Sequence, residues 1–300
     1  MLRVLGNPVY ALISVGATEE DIAAAAARLG VDRPLPVQFL DYVGQLLRLD
    51  LGRSFTSNLS VGDEVLRRLN VTLPLTLLSF ALSVLIAIPA GFLAAWKART
   101  WYGTAFSALT QLAGAIPVFW VGILLVTVFA LRARILPAGG FPRTDWEDPQ
   151  AALRALVLPV LTIAIVSGSE LARYVRSASL DVLGQTYLRT ARATGQSFAG
   201  ALLRHGLRNG IVPVISVLAI QLSTTFVGAV IVENVFALPG LGDMLLVGIR
   251  EQDFPSVQGV LLFSTALVLL LGFVADVLQR ILDPRIRGTL SGNHRSRAAA

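Results

Sequence analysis

The chain has 300 residues, of which 54% are hydrophobic and 15% charged, with a formal net charge of +6 and a mean hydropathy of +0.68. Soluble domains carry charge on roughly a quarter of their residues, so a water-soluble globule is disfavoured. The absence of cysteine rules out a disulfide framework, thiolate metal sites and cysteine nucleophiles. The sequence pI near 10.4 does not argue for nucleic acid, because the arginines gather beside apolar blocks and form no independent basic domain.

In chain order, residues 1–70 hold acids and bases in near balance and read as locally folded. Thr18-Glu19-Glu20-Asp21 before Ile22 to Leu29 resembles a helix start, with a hydroxyl to cap backbone amides and acids at the positive helix end. A second short helix is expected after Pro36. In it Phe39, Tyr42, Val43, Leu46 and Leu47 recur at helical spacing, available to the membrane part, to a partner or to a small self-contained cap.

Four intervals then carry no charged side chain: Arg68 to Lys97, Arg99 to Arg132, Arg208 to Glu233 and Asp253 to Asp276. Each holds the roughly 20 residues that cross about 30 Å of hydrocarbon. A shorter block, Ala155 to Ala172, contains Glu170 near its end and makes a fifth span. The blocks are apolar all round, as lipid-embedded or bundle helices are.

Lys97 and Arg99 lie in one connection, Arg173, Arg176, Arg189, Arg192, Arg204 and Arg208 in another, and Arg280, Arg285, Arg287, Arg295 and Arg297 after the last span. By the positive-inside rule these three alternate correctly as cytoplasmic. The opposite loops hold Asp145, Glu147 and Asp148, then Glu233, Asp243, Glu251 and Asp253, and read as external, although Arg132, Arg134, Arg143 and Arg154 accompany the first set. Residues 1–70 then lie outside, with no signal-peptide core or earlier span to carry them across. A missing N-terminal span, with Met1 to Pro8 the remnant of a longer N-terminus, or insertion assisted by a partner is the expectation.

Catalytic constellations are not found. Neither His205 nor His294 lies in a span, and the chain has no H-E-x-x-H metal motif and no G-x-x-x-x-G-K-[ST] phosphate loop. No cofactor, metal or catalytic residue is expected. Glu170 sits a turn before Arg173, either paired locally or facing a substrate path. Gln111, Gln221, Ser223, Thr224 and Thr225 can bond between helices or line a wet path. Among these, Glu170, Gln221 and Thr224 are the candidate pathway residues.

The stretch from Ser177 to Pro213 is a long polar connection that reads as two short helices broken at Gly195. Tyr187-Leu188-Arg189-Thr190-Ala191-Arg192-Ala193-Thr194-Gly195 sets small side chains beside fixed cations. Such a helix can enter a partner's groove, where arginine meets carboxylates or carbonyls, or can remain a solvated loop.

These nine residues, with Leu203-Arg204-His205-Gly206-Leu207-Arg208-Asn209 and Pro213, resemble the cytoplasmic loop of inner-membrane permease subunits of ABC importers, in the dipeptide/oligopeptide/nickel branch. Asp50-Leu51-Gly52-Arg53-Ser54, Val235-Phe236-Ala237-Leu238-Pro239-Gly240-Leu241-Gly242, Asp253-Phe254-Pro255-Ser256-Val257-Gln258-Gly259 and Asp283-Pro284-Arg285-Ile286-Arg287 are further family-like stretches, in order. The wider superfamily has Glu-Ala-Ala where this chain has Arg189-Thr190-Ala191, and proline at Arg208; both departures look usual for the peptide branch.

The resemblance implies an all-α polytopic membrane protein with five visible transmembrane helices, the family's first helix being absent. It divides into an external region over residues 1–70, a permease domain over 71–282 with a coupling loop at 173–208, and a cytoplasmic tail over 283–300. It implies a permease subunit in the inner membrane that pairs with a second permease, two ATPase subunits and an extracytoplasmic solute-binding protein. Tyr187, Arg189, Thr190, Ala191, Arg192, Ala193, Thr194 and Gly195 would dock on an ATPase, which alone hydrolyses ATP. The solute class would be dipeptides, oligopeptides, glutathione or chelated nickel. A secondary transporter or channel without ATPase partners, and a membrane-bound assembly or receptor protein, are the competing readings.

Overall fold

The computed structural model describes Thr18, Glu20, residues 33–202 and residues 207–282. The helix expected over Ile22 to Leu29, Met1 to Pro8, His205 and the Asp283–Arg287 stretch lie outside these. The second expected helix is present as α1 (Leu35–Leu47), with Pro36 in its first turn where a missing N–H costs nothing. Tyr42, Val43 and Leu46 are half-buried, while Phe39 and Leu47 are exposed.

Ser60 starts the longest helix, α2 (Val61–Trp96). Its hydroxyl accepts the Asp63 N–H at 3.3 Å, and Asp63 and Glu64 complement the positive end of the helix. Asp148 begins α5 (Pro149–Leu183) in the same way, accepting the Ala151 N–H at 3.0 Å, with Pro149 next in line. This helix is much longer than the Ala155–Ala172 block that predicts it. The apolar block measures the bilayer, and polar turns extend the helix at both ends.

The Arg99–Arg132 interval is corrected by the structure. It is not one straight span but two helices, α3 (Trp101–Ala115) and α4 (Val118–Leu125), the latter prolonged by a π-helical stretch over Val126–Arg132. The pair bends by 99°. Pro117 is the cause: its ring bars the residue before it from helical backbone, and Ile116 is extended at φ −81°, ψ 129°. The pair nevertheless leaves the Lys97 end of the bundle and reaches the other end. There the loop that follows it meets the top of α8, with the Gly140 N–H on the Phe236 carbonyl at 2.7 Å.

After α5 come two short helices, α6 (Thr186–Ala193) and α7 (Phe198–Ala201), then α8 (Leu207–Val235), α9 (Leu241–Arg250) and α10 (Phe254–Leu282). Among the described residues three helices are long and apolar enough to cross a membrane alone, namely Val61–Trp96, Pro149–Leu183 and Phe254–Val274. The bent pair and the apolar Ile220–Val235 part of α8 complete the bundle. No strand occurs among the described residues, only an isolated bridge between Arg53 and Ser60.

Close approach of α2 and α5 organises the centre. Thr72, Thr76, Ser79, Ser83, Ala87 and Gly91 of α2 are all buried and follow one another at three- and four-residue steps on one face. Gly168 of α5 lies over Ser83, and Gly91 sits against Ala172 and Val175. Small side chains let backbones approach where lipid supplies no hydrophobic drive between helices. The hydroxyls add no exposed polarity, since Thr76, Ser79 and Ser83 each donate to the carbonyl four residues back at 2.7–2.8 Å. Leu75, Leu156, Leu158, Ile163, Val232 and Phe236 form the largest buried cluster beside this seam.

A Cβ on Gly91 would stand 2.6 Å from the Ala172 carbonyl oxygen, whereas one on Gly228 meets nothing within 4 Å. Gly91→Val is therefore expected to lower stability by about 1–3 kcal/mol through overpacking, and Gly228→Ala to leave it unchanged or raise it slightly. Thermal unfolding of the two variants in detergent, side by side, checks this; equal melting temperatures would refute the close seam.

Candidate functional site

At the end of the bundle where α2 stops lies the arginine-rich loop. Helix α6 ends in a tight turn at Gly195, whose φ of +90° suits a residue without Cβ. The Gln196 N–H reaches the Ala191 carbonyl at 3.1 Å, the six-to-one bond of a Schellman ending. The turn folds α7 back so that Leu188 and Ala191 of α6 are buried with Ala201, flanked by Val182, Tyr187 and Leu202. The break at Gly195 thus falls where glycine predicts it. Thr190, Ala193, Thr194 and Gly195 are exposed, Tyr187 is half-buried and Ala191 points inward. Arg189 and Arg192 ride on the same two turns of α6.

The pathway candidates differ in setting. Gln221 is buried on α8, Thr224 is exposed one turn on, and Glu170 of α5 is half-buried with its chain near Gly114 of α3. Thr224 and Thr225 both donate to the Gln221 carbonyl, at 3.0 and 2.7 Å, so these hydroxyls bond within α8 and not across helices.

At the opposite end two carboxylates gather distant segments. Asp253, just before α10, is 3% exposed and accepts from Ser54 Oγ at 2.7 Å, the Phe55 N–H at 2.9 Å and Ser256 Oγ at 2.6 Å. Two of the family-like stretches, 50–54 and 253–259, therefore meet in space. Glu233, at the end of α8, is fully buried and accepts the Gly242 N–H at 2.7 Å, while Thr72 Oγ1 accepts the Leu241 N–H at 2.9 Å. The first turn of α9 is so held by one side chain from α8 and one from α2. A Cβ on Gly240 would run into the Glu233 carboxyl, which explains a glycine there. Arg68 closes the group, bonding Asp243 at 2.7 Å and Glu64 at 2.6 Å.

Sequence reasoning overlooked Asp253, Glu233, Thr72 and Arg68 as an assembled set. The available signal was an acid at the edge of each apolar block, next to glycine- and serine-containing turns.

A helical bundle of broken and unbroken spans, with a folded polar loop at one end and carboxylate-tied turns at the other, defines a polytopic all-α membrane protein. Residues 87–288 match the family described as binding-protein-dependent transport system inner membrane component. The chain belongs to that family and is a permease subunit of an ATP-driven ABC importer, in which ATP hydrolysis resides on partner subunits. This sets aside the secondary-transporter and channel readings.

A Brucella abortus (strain 2308) protein named as a peptide transport system permease is 37% identical over 283 residues, covering 94% of this chain and 90% of that protein. The di/tripeptide transport system permease protein DppB of Pseudomonas aeruginosa (strain UCBPP-PA14) is 34% identical over 308 residues, covering 96% and 92%. Among solved structures, the inward-facing MetNI methionine ABC transporter superposes with a TM-score of 0.59 at 19% identity, over 73% of this chain and 96% of that one. An amino acid ABC transporter with histidines gives 0.56 at 16% identity, over 73% and 94%. These two share the fold.

Two outcomes follow from the site geometry. Asp253→Ala leaves the buried Ser54 and Ser256 hydroxyls without their acceptor, at about 1–3 kcal/mol each, together with the half-buried Phe55 N–H, and residues 50–60 should exchange amide hydrogens markedly faster than in the parent. Gly195→Ala forces a left-handed conformation that costs an L-residue roughly 1–2 kcal/mol. Protease cleavage should rise within 186–202 while the spans stay protected; unchanged cleavage would contradict the Schellman ending.

Proposed function

We propose that this permease carries peptides, or a related small solute, through a path it forms with a second permease subunit. The α6–α7 loop faces the cytoplasm and docks on one of two ATPase subunits. The opposite end, with the carboxylate-tied turns and residues 1–70, faces the binding protein that delivers solute, and the 283–300 tail is cytoplasmic.

The observation that carries this reading is the construction of α6: its apolar side is sealed by α7 and α5, which leaves Thr190, Ala193 and Thr194 outward on a short helix that bears Arg189 and Arg192. Small exposed side chains permit close approach, and guanidinium groups supply directed bonds to carboxylates or carbonyls. The identity to peptide permeases over nearly the whole chain supports the solute class. Positive charge beside the loop supports its cytoplasmic side. Glu170, Gln221 and Thr224 are the side chains we assign to the path. ATP-driven closure shifts the bundle only if the ATPases bind one of its states more tightly than the other.

Arg189→Glu combined with Arg192→Glu is expected to reduce co-purification of the ATPases about tenfold or more, as loss of charge-assisted bonds does, and to abolish ATP-dependent peptide uptake in proteoliposomes while membrane insertion is retained. ATPases recovered at parental yield, together with normal uptake, would overturn the docking assignment.

A further inference from the structure

The loop is attached to the bundle at two places. One is covalent: α5 runs to Leu183, and only Gly184 and Gln185 separate it from α6, with the Gly184 N–H on the Leu180 carbonyl at 3.0 Å and the Gln185 N–H on the Val182 carbonyl at 3.2 Å. Val182 of α5 packs beside the buried cluster of α6 and α7, a small contact across the Gly184–Gln185 junction.

The other attachment is made by side chains. Phe198, the first residue of α7, stacks on Trp96, the last residue of α2, with ring centroids 6.2 Å apart and planes 21° apart. Trp96 is itself held from two sides. Phe92, one turn earlier on α2, lies 6.4 Å away, and the Lys97 ammonium stands 5.4 Å from the indole centroid. Aromatic pairs at such separations add attraction beyond the area they bury, and a cation over an indole face adds more.

A body fixed at one hinge swivels; a body fixed at two points drags what it is fixed to. The α2–α5 seam is tight at Gly91, where a Cβ would stand 2.6 Å from the Ala172 carbonyl oxygen, so α5 and α2 are closely packed and the loop moves with both for as long as the ring stack holds. Without the stack, the loop could turn about Gly184 and leave α2 behind.

We propose that Trp96 and Phe198 are positioning residues that transmit displacement of the loop to α2, and through it to the far end of the bundle. The proposal rests on the reading that the loop docks on an ATPase. It assigns these two side chains to coupling and not to docking.

The test uses the full complex of both permeases, ATPases and binding protein in proteoliposomes. Trp96→Ala and Phe198→Ala should retain ATPase co-purification and basal ATP hydrolysis, and should lower solute taken up per ATP hydrolysed by about two- to tenfold, the factor an aromatic pair represents. Phe198→Trp combined with Trp96→Phe should restore most of the loss, which a general destabilisation would not allow. Parental uptake per ATP in both alanine variants would overturn the proposal, and so would loss of ATPase binding, which would make Trp96 part of the dock.

Should the alanine variants fail to insert, the absence of native cysteine permits a cleaner arrangement. Trp96→Cys with Phe198→Cys, bridged by a short bifunctional thiol reagent, should keep ATP-driven uptake because the contact persists throughout the cycle. Uptake arrested by the bridge and regained on its cleavage would refute a standing link. The docking reading fails separately, through the Arg189 and Arg192 variants, so the two failures are distinguishable.

Discussion

The distance between α2 and α5 is the constraint on which the remaining architecture rests. It is set by residues that barely have side chains, Gly91 above all, together with serines and threonines that turn their hydroxyls back onto their own helix. In hydrocarbon there is no water to satisfy a stray donor, so a polar residue at a tight seam must find its acceptor locally. That requirement is met here without any polar contact between the two helices. The seam is thereby dry, close and hard to shear, and both ends of the protein hang from it.

At one end hangs the α6–α7 loop, held to α5 beside Val182 and to α2 through the Phe198–Trp96 stack. At the other is a set of turns whose backbone amides are collected by carboxylates. Thr72 illustrates the connection: it belongs to the small-residue face of α2, yet its oxygen accepts the Leu241 N–H at the start of α9. Glu233 takes the next amide of that same turn. The start of α9 is thus registered against α2 and α8 together, and Arg68 extends the registration through Asp243. A shift of α2 along its axis would disturb α9 directly, without any intermediate rearrangement of side chains.

Much of this was legible in the residues. The charge-free intervals located the spans, Gly195 marked a stop, and the ordered family-like stretches pointed to the permease class. What the pattern could not convey is of two kinds. Hydropathy reports which residues tolerate lipid, so it missed the polar turns that extend α5 from Pro149 to Leu183; the sharp corner at Pro117 divides an interval of uniform apolarity by backbone sterics, which the proline and not the hydropathy signals. The second kind is pairing across distance. Ser54 and Asp253 are 199 residues apart, and nothing in the neighbourhood of either names the other. Burial of Ala191 against Ala201 was equally hidden, since alanine suits an inner or an outer face alike.

The Ser54–Asp253 bond also bears on biosynthesis. At a synthesis rate of about 5–20 residues per second, roughly 10–40 s separate the appearance of the serine from that of its acceptor. During that time the early segment has left the ribosome with its hydroxyl and amide groups unclaimed, while the intervening helices are still being threaded into the bilayer. The contacts that hold this segment in place are thus completed only after most of the helices that separate the two residues have been made.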